Sequence, residues 1–416
     1  MKFVDFLSRC PTAWHATKEI AEQLKHAGFH ALQEKNPWKL ETNKNYFVER
    51  EGALLAAFRL PQKKPTSAIL LASHTDSPAL KIKPEPDILT KEIAQIGTEV
   101  YGGPLLHSWF DRDLAIAGKI ETDKGSDLVF LQEHPLIIPQ LPIHLDKTIG
   151  EKGLVVHKQD HLKAVLSIKG AENLEKLLKT QISFKTLYAF DLLLVPIEKP
   201  SLVGMHKEMF AGYRLDNMSS VFACLNALQK ANRREHTLQI ALFWDHEEIG
   251  SVSSTGAACT FVDQLFDRII IGLHESREQF YQLKANSLIV SVDVGHAWNP
   301  NFSDKYDPQN TPLLGGGVEI KFNAGRKYAS DSTSAASLRK IASKHELKIQ
   351  QAANRSDIPT GSTVGPIMSA NTGIPTIDLG IPLWAMHSTR EIMALSDFSD
   401  LERLLTAACN EWTRDP

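Results

Sequence analysis

The 416-residue sequence contains only four cysteines, Cys10, Cys224, Cys259 and Cys409, and no two of them lie close together. That scarcity argues against a disulfide framework and against a cysteine-based zinc cluster, so reduced thiols in a cytoplasmic setting are expected. The chain has no run of about 18 apolar residues, which leaves no membrane-spanning helix to expect. Met1-Lys2-Phe3-Val4-Asp5 lacks the apolar core of a secretory signal. Charge of one sign is also missing. With 46 basic and 49 acidic residues the formal net charge is -3, which speaks against a general nucleic-acid or anionic-membrane binder. No repeat or low-complexity segment stands out. What remains is an ordinary globular composition, 43% hydrophobic and 23% charged, on a chain long enough for two or three domains.

The patterning changes along the chain. Helical spacing of Ala13, Ala16, Ile20 and Leu24 predicts a first helix capped by Thr12. Gly52–Phe58 and Ser67–Ser73 read as strands. From about Ile93 to Leu194, short apolar runs punctuated by Gly, Pro and charge resemble a β-rich module, with a short helix over Gly170–Gln181. Beyond Gly212 strands and helices alternate again: a helix at Asn217–Lys230, strands at Leu238–Trp244, Ser287–Val292 and Val318–Asn323, and a helix from Ser332. Ser399 and Glu402 form a capping box that predicts a last helix over Asp400–Trp412. The expectation is an α/β fold, one mixed-sheet domain (residues 1–92 and 205–416) interrupted by a β-rich insertion at 93–204.

Chemistry gathers at the ends of the apolar strands. His74 follows Ser67–Ser73, at the kind of strand exit where open α/β sheets bind ligands. Imidazole suits zinc, and Asp76, two residues on, can hold the second ring nitrogen in the ligating tautomer. Asp216 precedes a helix, as a ligand or as an ordinary N-cap. Glu247 and Glu248 follow the strand ending at Trp244. Their mutual repulsion and desolvation would be relieved by a metal, unless the segment is a solvated acidic turn. Asp293 closes another core strand, and His387 lies in Ala385-Met386-His387-Ser388. Singly, each has a structural alternative.

Jointly they resemble one family. Ser73-His74-Thr75-Asp76-Ser77-Pro78, Tyr213-Arg214-Leu215-Asp216-Asn217, Asp245-His246-Glu247-Glu248-Ile249-Gly250, Ser291-Val292-Asp293-Val294-Gly295-His296 and Ala385-Met386-His387-Ser388-Thr389-Arg390-Glu391 are similar to the aspartyl aminopeptidases. So are Tyr101-Gly102-Gly103, Trp109-Phe110-Asp111-Arg112-Asp113-Leu114 and Thr360-Gly361-Ser362-Thr363-Val364-Gly365-Pro366, in the family's order along nearly the whole chain. The resemblance implies a two-metal peptidase domain with an inserted dimerisation domain. It also implies removal of one N-terminal residue, preferably Asp or Glu, from short peptides. His74 and Asp293 would hold one divalent ion, Glu248 and His387 the other, and Asp216 would bridge them. Zinc is the first expectation, with manganese or cobalt as alternatives. Asp76 would orient His74, and Glu247 would be the general base, which requires a bend because neighbours in a strand point oppositely.

The same resemblance makes Lys321 the leading cation for an acidic side chain, with Tyr328 as a polar partner and Arg326 as a rival. It implies that His144, in Leu141-Pro142-Ile143-His144-Leu145, reaches a neighbouring subunit's site in a homododecamer built from dimers. Asn299 departs from the family's histidine, and Ala324-Gly325-Arg326-Lys327 departs from its Asn- and Gln-rich loop. Asn cannot reproduce imidazole proton transfer. A broader aminopeptidase, another two-metal amidase and a non-enzymatic metal-stabilised scaffold are the competing readings.

Overall fold

In the computed structural model, which describes residues 2–414, a nine-stranded mixed sheet forms the centre. Its strand order is His30–Leu32, Asn45–Arg50, Leu54–Arg59, Thr237–Trp244, Ser67–His74, Ser287–Val292, Thr376–Gly380, Val318–Lys321, Ile349–Ala352. Ser67–His74 lies in the middle, parallel to Thr237–Trp244 on one side and to Ser287–Val292 on the other. Alternate residues of a strand face opposite sides, and here both sides are covered. Ile69 and Leu71 join Phe243, Val290 and the helices Ala13–His26, Leu215–Lys230 and Leu395–Glu411. Ala68, Leu70 and Ala72 join Leu242, Trp244 and the helices Phe261–Gly272, Arg277–Ala285 and Val364–Thr372. Burial on both faces explains why these strands read as unbroken apolar runs.

A separate antiparallel sheet of six strands has its own core, built around Ile116, Ile120, Leu192 and Leu194. The architecture is therefore a mixed α/β domain plus a separate β-rich sheet. The expected start of the insertion at residue 93 falls between Ala79–Thr90 and Ile93–Tyr101, which pair with each other. The sheet thus takes in Ala79–Thr90 as well. A third sheet was not anticipated. It has five short strands, Ser201–Val203, Met209–Gly212, Glu391–Ala394, Pro382–Trp384 and Gly295–His296, drawn from three distant parts of the chain. Among the described residues no helix is long and apolar enough to cross a membrane.

Some local expectations are corrected. A helix at Phe3–Arg9 precedes the expected first one. Thr12 stands at the N-cap position of Ala13–His26, but its hydroxyl meets the His15 ring at 2.8 Å instead of a helix amide. The helix inside the β-rich unit is confined to Leu174–Leu178, capped by Asn173. The last helix starts at Leu395, so Ser399 lies inside it and does not cap it. The first-turn carboxylate of that helix, Asp397, is fully buried and accepts the amides of Gly315 (2.8 Å) and Gly317 (2.9 Å), tying the helix to the turn that enters Val318–Lys321. Tertiary demand for that carboxylate outweighs a local capping box.

Asp397→Ala would leave two amides without their acceptor. It is expected to lower stability by about 1–3 kcal/mol, read as a fall in the urea midpoint. An unmoved midpoint would show that the two amides have other partners.

Candidate metal centre

The C-terminal ends of three adjacent parallel strands build one wall of the site. His74 is the last residue of its strand, in register with Trp244. After Trp244 the chain reverses through His246 (φ 62°), a single 3-10 turn at Glu247–Ile249, and Gly250 (φ 96°). This is the required bend, and it lets both glutamates face one cavity. Asp76 holds the turn. Its Oδ1 accepts the Glu247 amide and its Oδ2 the Glu248 amide, both at 3.1 Å, while the Tyr101 hydroxyl donates to Oδ2 at 2.8 Å. His74 Nδ1 lies 3.1 Å from the Asp76 carbonyl and 3.3 Å from its Oδ1. One residue thus lies against the imidazole and, through its carboxylate, fixes the backbone of the glutamate pair.

Asp216 opens the helix Leu215–Lys230 with φ -81° and ψ 105°, and the N-cap position belongs to Arg214. It is therefore not an ordinary N-cap. Glu391, 2% exposed, holds this part of the site: its Oε2 accepts the Asp216 amide (2.9 Å) and its Oε1 the His387 amide (2.6 Å). The His387 ring places Nδ1 3.0 Å from the Gly103 carbonyl, which leaves Nε2 free to face inward. No role was expected of Glu391. Its signal was its place at the end of the family-like segment 385–391, four residues after His387, and the contact depends on the unanticipated third sheet.

The side chains converge on two groups of potential ligands. His74 Nε2 lies 3.4 Å from both Asp216 Oδ1 and Asp293 Oδ1. His387 Nε2 lies 3.2 Å from Asp216 Oδ2 and 3.4 Å from Glu248 Oε2. Asp216 belongs to both groups, one oxygen to each. Within each of the sets His74–Asp216–Asp293, His74–Glu247–Glu248 and Asp216–Glu248–His387, one donor atom per residue lies within 4.8 Å of the others. His74 Nε2, Asp216 Oδ1 and Glu248 Oε1 are buried without a hydrogen-bond partner among the described residues. Buried polar atoms left without a partner are costly unless something binds them. Mixed imidazole and carboxylate donors suit zinc. The residues present fit two divalent cations.

The electrostatics agree. Burial pushes the Glu247 carboxyl up to about 8, reinforced by Asp293, Asp76 and Asp216 against the opposing effect of His74. Burial, followed by the charge of Asp216, raises Glu391 to about 8, although its two backbone donors work the other way. For His387 burial disfavours the charged ring, but Asp216 and Glu248 outweigh it and carry the group to about 10. So many carboxylates in one buried place call for positive charge.

The cavity over this centre measures about 310 Å³, and Lys321 and Tyr328 line it. Lys321 is 3% exposed. Its Nζ donates to the Val294 carbonyl (2.6 Å), lies 4.0 Å from Asp293 Oδ2 and stands 5.4 Å from the Tyr328 ring centre. Burial works against its charge, but Asp293, Tyr328 and Glu319 hold the ammonium above its ordinary range. Arg326 donates to the Ala329 carbonyl at 3.2 Å and does not line the cavity. His144 is exposed and lies outside the lining of its own chain's cavity. Asn299 caps a short turn by accepting the Asn301 amide at 3.0 Å.

The sequence pattern described as Aminopeptidase I zinc metalloprotease (M18) matches residues 6–407. The chain belongs to the M18 peptidase family. It is 35% identical over 419 residues to a "Probable M18 family aminopeptidase 2" of Pseudomonas syringae pv. syringae, covering 97% of this chain and 96% of that one. Among solved structures it resembles Ape4, determined by cryo-EM in a complex with Nbr1, with TM-score 0.92, 32% identity and coverage of 98% and 84%. It also resembles S. cerevisiae mApe1, solved as a dodecamer, with TM-score 0.84, 25% identity and coverage of 98% and 95%. This M18 member is a metal-dependent aminopeptidase, and the convergent donors are its candidate dinuclear metal site.

Removing an outer carboxylate that positions metal ligands typically costs about 10- to 100-fold in metal affinity. Glu391→Ala is expected to lose that much, read by competition with a zinc chelator. Wild-type affinity in the variant would show that the Asp216 and His387 backbones hold their places without it.

Proposed function

We propose that this aminopeptidase releases a single Asp or Glu from the N-terminus of short peptides, as the aspartyl aminopeptidase subgroup does. The observation that carries the reading is Lys321: a buried ammonium in the same cavity as both ligand groups, suited to an acidic first side chain. In this reading His74 and Asp293 would hold one cation, Glu248 and His387 would hold the other, and Asp216 would serve both. Asp76 orients His74. Bound divalent cations, zinc in the first place, lower the pKa of water and stabilise negative oxygen in the transition state. Glu247 takes a proton from the attacking water and returns it to the leaving amine. Lys321 receives the first side chain, with Tyr328 beside it.

The inserted unit completes the proposal. Moving its first boundary ahead of Ala79 keeps Ala79–Thr90 with the strands it pairs with. The insertion then runs from there to about 204 as a dimerisation domain, with the catalytic domain on either side. His144 reaches a neighbouring subunit's site, flanked by the exposed apolar side chains Leu141, Ile143 and Leu145. Assembly as a homododecamer of dimers is supported by the dodecameric relative. A cytoplasmic setting is supported by four unpaired cysteines.

Two experiments test this. Glu247→Gln is expected to reduce turnover by about 10²- to 10⁴-fold with metal content retained, measured by peptide hydrolysis and elemental analysis side by side. Normal turnover would remove Glu247 from the mechanism. Across peptides starting with Asp, Glu, Ala, Leu or Arg, kcat/KM is expected to be highest for the acidic pair, and Lys321→Met to lower that value by about 10- to 100-fold. A wild-type preference for Leu or Arg would overturn the acidic reading.

A further inference from the structure

Lys321 has a charged neighbour that the proposed mechanism does not use. Glu319 precedes it by two residues on Val318–Lys321, so both side chains leave the same face of the strand. Glu319 is 1% exposed, and neither of its carboxylate oxygens has a hydrogen-bond partner among the described residues. It lies flat against Gly295: a Cβ there would sit 1.5 Å from Oε1, so the missing side chain at 295 is what admits the carboxylate. A second cavity, of about 360 Å³, adjoins the one over the metal centre. Gly295, His296, Lys321 and Tyr328 line both, and Glu319 lines the second.

Other charges around this second cavity are matched. Arg355 is held by Asp357 at 2.8 and 2.9 Å, and Lys305 by Asp304 at 3.2 Å. Among the described residues lining this second cavity, Glu319 alone presents buried side-chain acceptors without a hydrogen-bond donor. Such a group is expensive to keep unless a ligand supplies the donor.

An acidic side chain entering this pocket meets the ammonium of Lys321 but also the carboxylate of Glu319, and attraction and repulsion offset each other. A primary carboxamide meets both groups favourably: its oxygen accepts from Lys321, its N–H donates to Glu319, and it brings no charge. We infer that Glu319 is a specificity-determining residue of the first-residue pocket, and that peptides beginning with Gln or Asn are substrates beside those beginning with Glu or Asp. The inference rests on the reading of Lys321 as the cation of that pocket.

Burial raises Glu319 to about 7 against the pull of Lys321, so at about pH 8.5 the side chain is an anion. At that pH, kcat/KM is to be measured on the zinc-loaded, assembled enzyme for peptides differing only in a first residue of Glu, Gln or Leu. The wild type is expected to cleave the Gln peptide within about tenfold of the Glu peptide. Glu319→Gln and Glu319→Met are each expected to raise the Glu-to-Gln ratio by at least about tenfold. A ratio taken within one variant is independent of the fraction folded, and zinc content reports that fraction. Wild-type discrimination against Gln by more than about tenfold, or a ratio unmoved in both variants, overturns the role of Glu319 and leaves the acidic reading standing. A wild-type preference for Leu over both removes the acidic reading, and this inference with it.

Discussion

The sharing of Asp216 between two groups of donors is the constraint on which the rest of the site depends. One of its oxygens faces His74 and the other His387. A carboxylate shared between two donor groups cannot rotate to suit either one, so its backbone must be held. The Glu391 carboxylate takes the Asp216 amide, and the Ser77 hydroxyl donates to the Asp216 carbonyl at 2.6 Å. The Asn217 side chain ties the next residue to the Val292 carbonyl at 2.9 Å, beside Asp293. Each contact trades side-chain freedom for a fixed position between the two donor groups.

Asp76 and Glu391 solve the same problem for different segments of the centre. Each is a buried carboxylate that accepts two backbone amides, Glu247 and Glu248 in one case, Asp216 and His387 in the other. Side chains reaching toward a metal are only as well placed as the loops that bear them. Loops at strand ends lack the ladder hydrogen bonds that hold strands. A carboxylate spanning two consecutive or converging amides supplies that restraint. Its negative charge is tolerated because the imidazoles and the expected cations lie close by.

The central strands were legible because they are buried on both faces. Ser287–Val292 occurs where the apolar run predicts it, and Ser67–His74 and Thr237–Trp244 differ from expectation by one residue. The helix Ser332–Lys344 was equally legible, and its cap is Asp331. Elements that depend on partners far away in sequence were not. Strands of two to four residues in the third sheet carry too few side chains for a period to show. The last helix was misplaced because Asp397, polar by type, is fully buried against two glycine amides supplied by another segment.

By itself the sequence determined which chemical types are present and roughly where each leaves a strand. His74, Asp216, Glu247, Glu248, Asp293, Lys321 and His387 were all candidates from local pattern and family resemblance. Only the tertiary structure decided that Asp216 stands between two imidazoles, that Asp76 grips the glutamate turn, and that Arg326 stays outside the cavity while Lys321 is buried in it. It also set Glu319 beside Lys321 with no hydrogen-bond partner among the described residues. The reason is physical. Donor identity is a property of one residue, whereas convergence, burial and an unsatisfied lone pair belong to atoms that meet only after segments from Ser67 to Glu391 have packed into the same few ångströms.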